Sequence, residues 1–386
     1  MNRALQDIRP SDTLAIAAKA KKLAADGIKV CNFAAGEPDF DTPASIKEAA
    51  AQALAQGQTK YTPARGLPAL CKAIAEKLKR ENGLTYSEND VIVGGGGKMS
   101  LSTAFMALLN PGDEVVIPAP YWLSYPEMVR LAGGTPVFVK GDDLAGFRIT
   151  PRQLEEAITP KTVAVVLNSP SNPTGLVYKP EELKAFADIC VKHDVWIISD
   201  EIYERMVYGG ERFVSVAALS PEIFRKTLTV NGVSKAYAMT GWRIGYAAGP
   251  SEIIRAMETV QSHMASAPAT FAQFGALHAL RGVEDEIQPM LAAFEARNQR
   301  IFELMAQIKG VVCRRPMGAF YIFPNIGAFA LDSREFAQRL IEEQHVAAVP
   351  GLSFGAPDNL RFSYACGMEE IEEGMRRFKA FCQTFA

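Results

Sequence analysis

Short apolar runs alternate with longer amphipathic segments through the middle of the chain. Seven of these runs are rich in β-branched residues and predict strands that are buried on both faces; they read DVIVGGGG, DEVVIPAP, TPVFVK, TVAVVLNSP, VWIISDEIY, TLTVNGVSK and RIGYAAGP. Between some of them, apolar spacing predicts helices over 98–109 and 181–193. The alternation predicts an α/β fold in which a mostly parallel sheet is sandwiched by helices.

The two ends of the chain follow a different rhythm. Helical spacing and stop signals predict further helices over 13–25, 43–56, 284–308 and 333–344, one that begins near Pro68, and a closing helix at the C-terminus. Short strands are predicted at VVCRRP, GAFYIFP, HVAAVPGLSFG and LRFSYACG. This mixture is typical of a second domain of the α+β class.

Length and composition fit such a two-domain protein. The chain has 386 residues, of which 48% are hydrophobic and 22% charged, so it can bury a large core. We predict a large domain over 45–280 and a smaller α+β domain built from both termini, 1–44 and 281–386. The net charge of −2 and the lack of a basic block argue against nucleic acid or an anionic membrane as a partner.

Cysteine and histidine positions give no sign of a metal site or a disulfide framework. The six cysteines are far apart and form no CxxC pair, and the four histidines form no HExxH motif and no cluster. Scattered thiols are typical of a reducing compartment. No window approaches the roughly 18 apolar residues of a membrane span. We therefore predict a cytoplasmic protein without a metal.

Lys235 follows the apolar run TLTVNGV, between Ser234 and Ala236. Burial at the exit of a strand would lower the pKa of its amine from about 10.4. A neutral amine there is a nucleophile toward carbonyl groups. The alternative is an ordinary surface lysine at the end of a strand.

A glycine loop, Gly94 to Gly97, leads from a predicted strand into a helix that begins with Lys98. The nucleotide-binding pattern GxxxxGK[ST] requires glycine where Ile92 stands and serine or threonine where Met99 stands, so this is not a nucleotide P-loop. The first N–H groups of the helix can still bind another anion. The alternative is a tight turn without a ligand.

Asp200 ends the apolar run VWIIS, where an unpaired carboxylate would cost several kcal/mol. It should therefore face a cation, and Tyr203 can point to the same place if the chain turns helically. Asn172 lies in the rigid turn NSPSNPTG after another buried strand. The alternatives are capping and core residues at Asp200 and Tyr203, and a turn with no further role at Asn172.

Seven motifs occur in one order along nearly the whole chain: AAGEPDFDTP, KYTPARG, PYWLSYPEM, NSPSNPTG, SDEIYE, SKAYAMTGWRIGY and RFSYA. In this order and at these separations they resemble the fold-type I pyridoxal-phosphate aminotransferases of the aspartate aminotransferase class. One motif could be accidental, but seven in order are highly specific.

The resemblance implies roles around pyridoxal 5'-phosphate. Lys235 would bind the cofactor as a Schiff base and then act as the general acid–base that moves a proton from the substrate α-carbon. Asp200 would pair with the protonated pyridine nitrogen. Tyr203 and Asn172 would hydrogen-bond the phenolic oxygen of the ring, and Trp122 would stack on its face.

The resemblance also implies how the phosphate is held. It would lie on the N–H groups of Gly96 and Gly97, beside Lys98, with Arg243 as a permanently charged partner. Tyr61 would reach the phosphate from the neighbouring subunit, so the resemblance implies a homodimer, with two-fold symmetry.

Substrate contacts are implied as well. Arg361 would hold the substrate α-carboxylate in a bidentate fork, and Gly36 would close over the same group. Trp122 and Asn172 would also contact the substrate. Because Arg361 lies in the predicted small domain and Lys235 in the large one, closure on substrate is expected.

The side chain of the substrate is read differently in two branches of the family. One branch uses an arginine where this chain has Gln261. This chain resembles a second branch, with GEPDFDTP and YTPARG, that uses a lysine after the glycine loop and a threonine of the N-terminal segment, here Lys98 and Thr13. The resemblance favours aspartate or glutamate, with prephenate accepted by some members. The alternative for Lys98 is a solvated residue in the first turn of a helix.

The expected activity is transamination between an acidic L-amino acid and 2-oxoglutarate or oxaloacetate. Members that prefer aromatic or alanine-type donors, and carbon–sulfur β-lyases, share the same cofactor contacts and stay open alternatives. A non-catalytic binding protein or a nucleotide binder is a third alternative, and the failed P-loop pattern argues against the nucleotide.

Overall fold

A computed structural model describes residues 8, 10–141, 143 and 145–385. Within them, helices span Asp12–Ala25 (α1), Ala44–Ala55 (α2), Pro68–Asn82 (α3), Gly97–Leu108 (α4), Ser124–Leu131 (α5), Pro151–Ala157 (α6), Pro180–Lys192 (α7), Pro221–Lys226 (α8), Ser251–Met264 (α9), Thr270–Ala279 (α10), Glu284–Met305 (α11), Ser333–Gln344 (α12) and Met368–Gln383 (α13). Strands span Cys31–Asn32 (β1), Val91–Gly94 (β2), Glu114–Ala119 (β3), Thr135–Lys140 (β4), Thr162–Asn168 (β5), Trp196–Asp200 (β6), Thr227–Gly232 (β7), Gly245–Ala248 (β8), Tyr321–Ile322 (β9), Val346–Ala347 (β10), Val349–Pro350 (β11) and Leu360–Ser363 (β12).

The seven predicted apolar runs form one sheet in the order β2-β8-β7-β6-β5-β3-β4. The pairs β3–β4, β3–β5, β5–β6 and β6–β7 are parallel, whereas β8 is antiparallel to both β2 and β7. Because β2 and β7 both oppose β8, they run in the same direction as each other. The carboxyl ends of β2, β5, β6 and β7 therefore meet at one edge, and the predicted mostly parallel α/β fold is confirmed.

Alternate side chains of the central strands enter separate cores on the two faces of the sheet. In β5, Ala164 and Val166 pack in one cluster with residues of α4, α5 and α9, and Val165 and Leu167 pack in another with residues of α6 and α7. Successive side chains of a strand point to opposite faces, so strands covered on both faces read as continuous apolar runs.

Local signals set the helix limits close to those predicted. Helix α3 starts with Pro68, which lacks an N–H at a position where a helix leaves that group without an internal partner. It ends at Asn82 and is followed by Gly83, which has a φ of 73°. Helix α12 starts where the Asp332 carboxylate accepts two backbone N–H groups. The predicted helix 284–308 ends earlier, at Met305, in a turn before Gly310.

Small sheets join the two ends of the chain. Strand β1 pairs in parallel with β10, and β12 lies between β11 and β9 in an antiparallel sheet. The predicted strand at VVCRRP is wrong, because only Val312 makes an isolated bridge, to Asn325. The run has two valines before polar residues and Pro316, which has no N–H to continue a ladder. The division at residues 44 and 280 stays a prediction.

Helix α1 is attached to α12 by polar side chains and a shared core. Lys19 pairs with Glu342 at 2.7 Å. The Asp12 carboxylate pairs with Arg334 at 3.3 Å and accepts the Ser353 hydroxyl at 2.5 Å. Ala20 of α1 and Ile341 of α12 also belong to one apolar cluster. Among the described residues, no helix is both long and apolar enough to cross a membrane.

Candidate active site

A cavity of about 720 Å³ opens at the carboxyl edge of the main sheet. Predicted site residues that line it are Thr13, Gly36, Gly97, Lys98, Trp122, Asn172, Asp200, Tyr203, Lys235, Arg243 and Arg361. Gly96 precedes Gly97 in the chain but does not itself line the cavity, and neither do Tyr61 and Gln261. The strand ends thus bring together residues that are up to 348 positions apart in the sequence.

Lys235 follows β7 by three residues and extends into the cavity. Its Nζ donates a hydrogen bond to the carbonyl oxygen of Gly36 at 2.6 Å. Burial lowers the pKa of this amine to about 8, and the charge of Glu37 opposes the shift while those of Arg361 and Arg243 add to it. About a fifth of amines with this pKa is neutral at pH 7.4, against about a thousandth for an unperturbed lysine.

Asp200 is the last residue of β6 and is buried. One carboxylate oxygen accepts the Tyr125 hydroxyl at 2.6 Å, and the other accepts the Ile202 N–H at 3.3 Å. Burial raises the pKa of Asp200 to about 6, although the Tyr125 hydrogen bond and the positive charge of Lys235 oppose the shift. The carboxylate therefore lies where a further cation would stabilise its charged form.

Tyr125 was missed by the sequence-based prediction. It lies in α5, is buried, and packs edge-on against Trp122 with ring centroids 5.3 Å apart. The motif PYWLSYPEM contains it, but its contact with Asp200 joins residues 75 positions apart and leaves no local signal.

The Asn168 side chain holds the NSPSNPTG turn against the neighbouring strand. Its amide donates to the carbonyl oxygen of Asp200 at 2.9 Å, and its oxygen accepts the N–H of Asn172 at 2.9 Å. The Asn172 side-chain oxygen is then aimed at Arg361, whose Nη1 donates to it at 3.1 Å. The turn therefore positions a polar group between the main sheet and β12.

Arg361 of β12 is 2% exposed. Its Nη2 donates to the carbonyl oxygen of Ala34 at 3.0 Å, and its guanidinium lies 4.5 Å from the centre of the Tyr321 ring. Its Nε is buried and has no acceptor among the described residues. Such a donor is costly to leave unpaired, so the site suits an anionic ligand.

Tyr203 points into the cavity from the turn after β6, and its hydroxyl lies 2.9 Å from that of Tyr321. Burial raises the pKa of Tyr203 well above its usual value, so the phenol is neutral. Tyr321 of β9 also lines the cavity and was not predicted, because 118 residues separate the two tyrosines.

Gly96, Gly97 and Arg243 form a cradle at the start of α4. Gly96 has φ of 90°, and a Cβ there would collide with the Arg243 guanidinium. Arg243 donates to the carbonyl oxygens of Thr240 at 2.7 Å and Gly95 at 3.3 Å. A helix N-terminus beside a fixed guanidinium is a site for a phosphate-sized anion.

Lys98 and Thr13 both line the cavity. The Lys98 Nζ is 5.0 Å from the centre of the Trp122 ring. Desolvation, and to a smaller extent the charge of Arg243, lower the pKa of Lys98. The Thr13 hydroxyl is buried and has no partner among the described residues.

Tyr61 and Gln261 do not contribute to the cavity of their own chain. Tyr61 is 95% exposed. Gln261 is buried in α9 and donates to the carbonyl oxygens of Ala64 at 2.6 Å and Val93 at 2.9 Å. Gln261 therefore holds the segment before α3 against the end of β2 and does not face a substrate.

The cavity combines two cationic positions for anions with one buried carboxylate for a cation. The charges of Arg361, Arg243 and Asp200 all act on the amine of Lys235, whose pKa is about 8. Among the described residues, no cluster of histidine, cysteine, aspartate or glutamate is arranged to hold a metal ion. This arrangement suits a ligand with a phosphate at one end and a protonated ring nitrogen at the other.

Comparison with known proteins agrees with this reading. The model of the family "Aminotransferase class I and II" matches residues 28–378. An aspartate aminotransferase of Geobacillus stearothermophilus is 51% identical, with 98% of each chain covered. An aspartate/prephenate aminotransferase of Cereibacter sphaeroides is 50% identical over 98% of this chain and 97% of its own.

Solved structures agree in fold as well. The aspartate aminotransferase of Thermus thermophilus, solved with maleate, is 45% identical and matches with a TM-score of 0.95 over 98% of this chain and 99% of its own. The chain belongs to the class I and II aminotransferases, whose cofactor, pyridoxal 5'-phosphate, is the one its motifs predict.

Proposed function

We propose that this chain catalyses reversible transamination between an acidic L-amino acid, aspartate or glutamate, and a 2-oxo acid such as oxaloacetate or 2-oxoglutarate. One observation carries the proposal: the amine of Lys235, with a pKa of about 8, shares a cavity with the buried carboxylate of Asp200 and the buried guanidinium of Arg361. Relatives at 50% and 51% identity have names that include aspartate aminotransferase and aspartate/prephenate aminotransferase, which supports aspartate as donor and prephenate as a further acceptor.

The residues of the cavity fit pyridoxal 5'-phosphate. Asp200 would pair with the pyridine nitrogen, and the Tyr203 phenol would donate to the phenolic oxygen of the ring. The phosphate would lie at Gly96 and Gly97 beside Arg243, where only glycine at position 96 leaves room for the guanidinium. When bound, the cofactor supplies an electron sink that stabilises negative charge on the substrate α-carbon.

Lys235 is the residue that moves the proton. Its Nζ would take the proton from the substrate α-carbon, because an amine with a pKa of about 8 exchanges protons readily near neutral pH. The same amine would hold the cofactor covalently between turnovers. The carbonyl oxygen of Gly36, which accepts from Nζ at 2.6 Å, would orient the free amine.

Arg361 would bind the α-carboxylate of the substrate. The buried Nε has no acceptor, and Nη1 and Nη2 are held in place by Asn172 and Ala34. A guanidinium already fixed in this way loses little freedom when a carboxylate binds. Arg361 thus orients the α-carbon toward Lys235 and contributes through proximity.

Lys98 and Thr13 would read the second carboxylate of an acidic substrate. Lys98 supplies a positive charge in the lining of the cavity, and the hydroxyl of Thr13, which has no partner among the described residues, supplies a hydrogen-bond donor. The maleate in the Thermus structure is itself a dicarboxylic acid. This similarity supports an acidic substrate for the present chain.

A homodimer would complete the phosphate site. Tyr61 is 95% exposed and lies apart from the cavity of its own chain, which supports a contact with the partner's phosphate. The apolar side chains of Met264 and Phe271, 49% and 37% exposed, offer surface for the same interface.

The six free cysteines support a reducing compartment, and we assign the enzyme to the cytoplasm.

The test is a panel of amino donors with 2-oxoglutarate, in the parent and in two variants. Lys235→Ala should lose all measurable turnover and the visible absorbance of the bound cofactor. Lys98→Ala should lose activity with aspartate about tenfold or more, because an ion pair to a charged substrate is removed, and lose little with phenylalanine or alanine. Lys184→Ala is the matched control, because it removes an exposed lysine of α7 that is paired with Asp188.

Distinct outcomes would contradict distinct parts of the proposal. Undiminished turnover in Lys235→Ala would refute the mechanism. Equal losses for acidic and neutral donors in Lys98→Ala would remove Lys98 as the reader of the second carboxylate. Pyruvate release from cystathionine without any oxoglutarate-dependent product would favour a carbon–sulfur lyase.

A further inference from the structure

Tyr321 connects two parts of the cavity that have separate tasks in the proposed function. Its side chain is 1% exposed. The face of its ring supports the Arg361 guanidinium, 4.5 Å from the ring centre, and its hydroxyl lies 2.9 Å from that of Tyr203. One side chain therefore contacts both the arginine for the substrate and the tyrosine for the cofactor.

The backbone fixes Tyr321 relative to Arg361. Tyr321 in β9 pairs with Ser363 in β12, two residues after Arg361, so both side chains project from one small sheet. The Phe320 ring packs against the Tyr321 ring with centroids 4.7 Å apart, and Tyr203 packs edge-on at 5.9 Å. These contacts leave the Tyr321 ring little freedom to turn.

The hydroxyl of Tyr321 also lies beside the segment that covers the site. A Cβ at Gly36 would be 3.1 Å from this hydroxyl. The carbonyl oxygen of the same glycine accepts the Lys235 amine at 2.6 Å. The hydroxyl therefore lies between Tyr203 and the backbone that orients the lysine.

We propose that Tyr321 is a positioning residue for both the cofactor end and the substrate end of the cavity. Its hydroxyl donates to the Tyr203 hydroxyl, which leaves the Tyr203 hydrogen free for the phenolic oxygen of the cofactor. The face of its ring holds the Arg361 guanidinium in position. A tyrosine hydroxyl has one hydrogen and can accept from others, so the direction of the bond between the two hydroxyls decides what Tyr203 can offer. A hydroxyl that accepts a hydrogen bond also becomes a stronger donor.

The hydrogens available to the pair decide this direction. The two hydroxyl oxygens are 2.9 Å apart, and either of them could donate. Tyr203 has one hydroxyl hydrogen, which the proposed function directs to the phenolic oxygen of the cofactor. The bond between the two hydroxyls is then donated by Tyr321.

The test is the pH titration of the visible absorbance of the bound cofactor. This inference depends on the proposed function, because that absorbance reports on the ring whose phenolic oxygen Tyr203 would contact. Tyr321→Phe keeps the ring and removes the hydroxyl, so we expect the titration midpoint to rise by about 0.3 to 1 pH unit, the effect of one hydrogen bond. The KM for aspartate should stay within about twofold, because the face that supports Arg361 is kept.

Tyr321→Leu removes the ring as well. We expect it to raise the KM for aspartate a further two- to tenfold, roughly the loss of a cation–π contact. Tyr364→Phe is the control for losing a buried hydroxyl nearby, since Tyr364 is also buried in this part of the chain and its hydroxyl bonds to Asn298 and Ala319. Its titration should match that of the parent.

A double-variant cycle separates positioning from a general structural defect. In a Tyr203→Phe background, adding Tyr321→Phe should not move the midpoint further, because the partner hydroxyl is gone. An equal shift in both backgrounds, or a parental titration in Tyr321→Phe, would overturn this inference alone. If the parent bound with cofactor showed no visible absorbance, both this inference and the proposed function would fail.

Discussion

Replacement of Glu201 by glutamine should remove a loss of stability that the parent protein undergoes as the pH rises from 5 to 8. Glu201 follows Asp200 and is 1% exposed. One carboxylate oxygen accepts the hydroxyls of Ser199 and Ser215 at 2.8 Å each and the N–H of Val216 at 3.2 Å. The other oxygen is buried without a partner among the described residues. Glutamine can keep the three accepted bonds and carries no charge.

The pKa of Glu201 sets the size of the effect. Burial, with the nearby charge of Glu204, raises this pKa from 4.5 to about 7. The folded state then holds the proton more tightly than the unfolded state. The stability that this proton contributes is complete below pH 4.5 and is lost as the pH rises to about 7. At about 1.4 kcal/mol per pH unit, the full loss is about 3 kcal/mol, and most of it falls between pH 5 and pH 8.

The assay is thermal unfolding of the cofactor-free protein at pH 5 and pH 8. A chain of 386 residues has an unfolding entropy of roughly 0.8 kcal/mol/K, so a change of about 2 to 3 kcal/mol corresponds to about 3 °C. The Tm of Glu201→Gln minus that of the parent should therefore increase by about 3 °C from pH 5 to pH 8. Glu48→Gln is the matched control, because Glu48 is an exposed glutamate of α2, and its difference should not change with pH.

Two results would refute this reasoning. A difference in Tm that stays constant from pH 5 to pH 8 would mean that Glu201 keeps one protonation state over this range. A difference that falls with pH would mean that the charged form is stabilised in the fold, so that the buried oxygen has a donor after all.

Three further predictions concern the cavity. Gly96→Ala should weaken cofactor binding by about 10- to 100-fold in an equilibrium titration, because the residue has φ of 90° and the added methyl meets the Arg243 guanidinium; unchanged affinity would exclude this cradle. Arg361→Lys should raise the KM for aspartate by roughly 30-fold or more through loss of the planar fork, and a KM within a factor of two would contradict it. Co-expressed Tyr61→Ala and Lys235→Ala chains should form hybrid dimers that recover part of the activity that each variant lacks alone, and failure of purified hybrids to do so would argue against a site shared between subunits.

Periodicity predicted most of the secondary structure, because its signal is local. The continuous apolar runs correspond to β2 to β8, and helix α12 has the limits that its sequence predicts. The apolar pattern could not predict that β8 runs antiparallel to both of its neighbours, because a buried strand is a continuous apolar run whichever way it points. At VVCRRP two valines suggested a strand, but a ladder also needs a partner of matching length.

The sequence predicted those residues of the candidate site that belong to a recognisable motif. It missed residues that reach the site only by packing against distant parts of the chain. Lys235, Asp200 and Arg361 were found because their motifs resemble those of a known family, and the family and its cofactor are confirmed. Tyr125 and Tyr321 were missed because each contacts its partner across a long stretch of sequence. The role of Gln261 could not be predicted from the sequence either, because only its hydrogen bonds to Ala64 and Val93 show that it supports the backbone.

The attachment of α1 to α12 has a consequence for protein engineering. Helix α1 carries Thr13, and its links to α12 run through Lys19, Asp12 and their partners. A chimera that imports only the N-terminal segment of a relative would bring a foreign helix onto the native α12 and misplace Thr13. Donor preference should therefore transfer between relatives only when the two helices are exchanged as a pair.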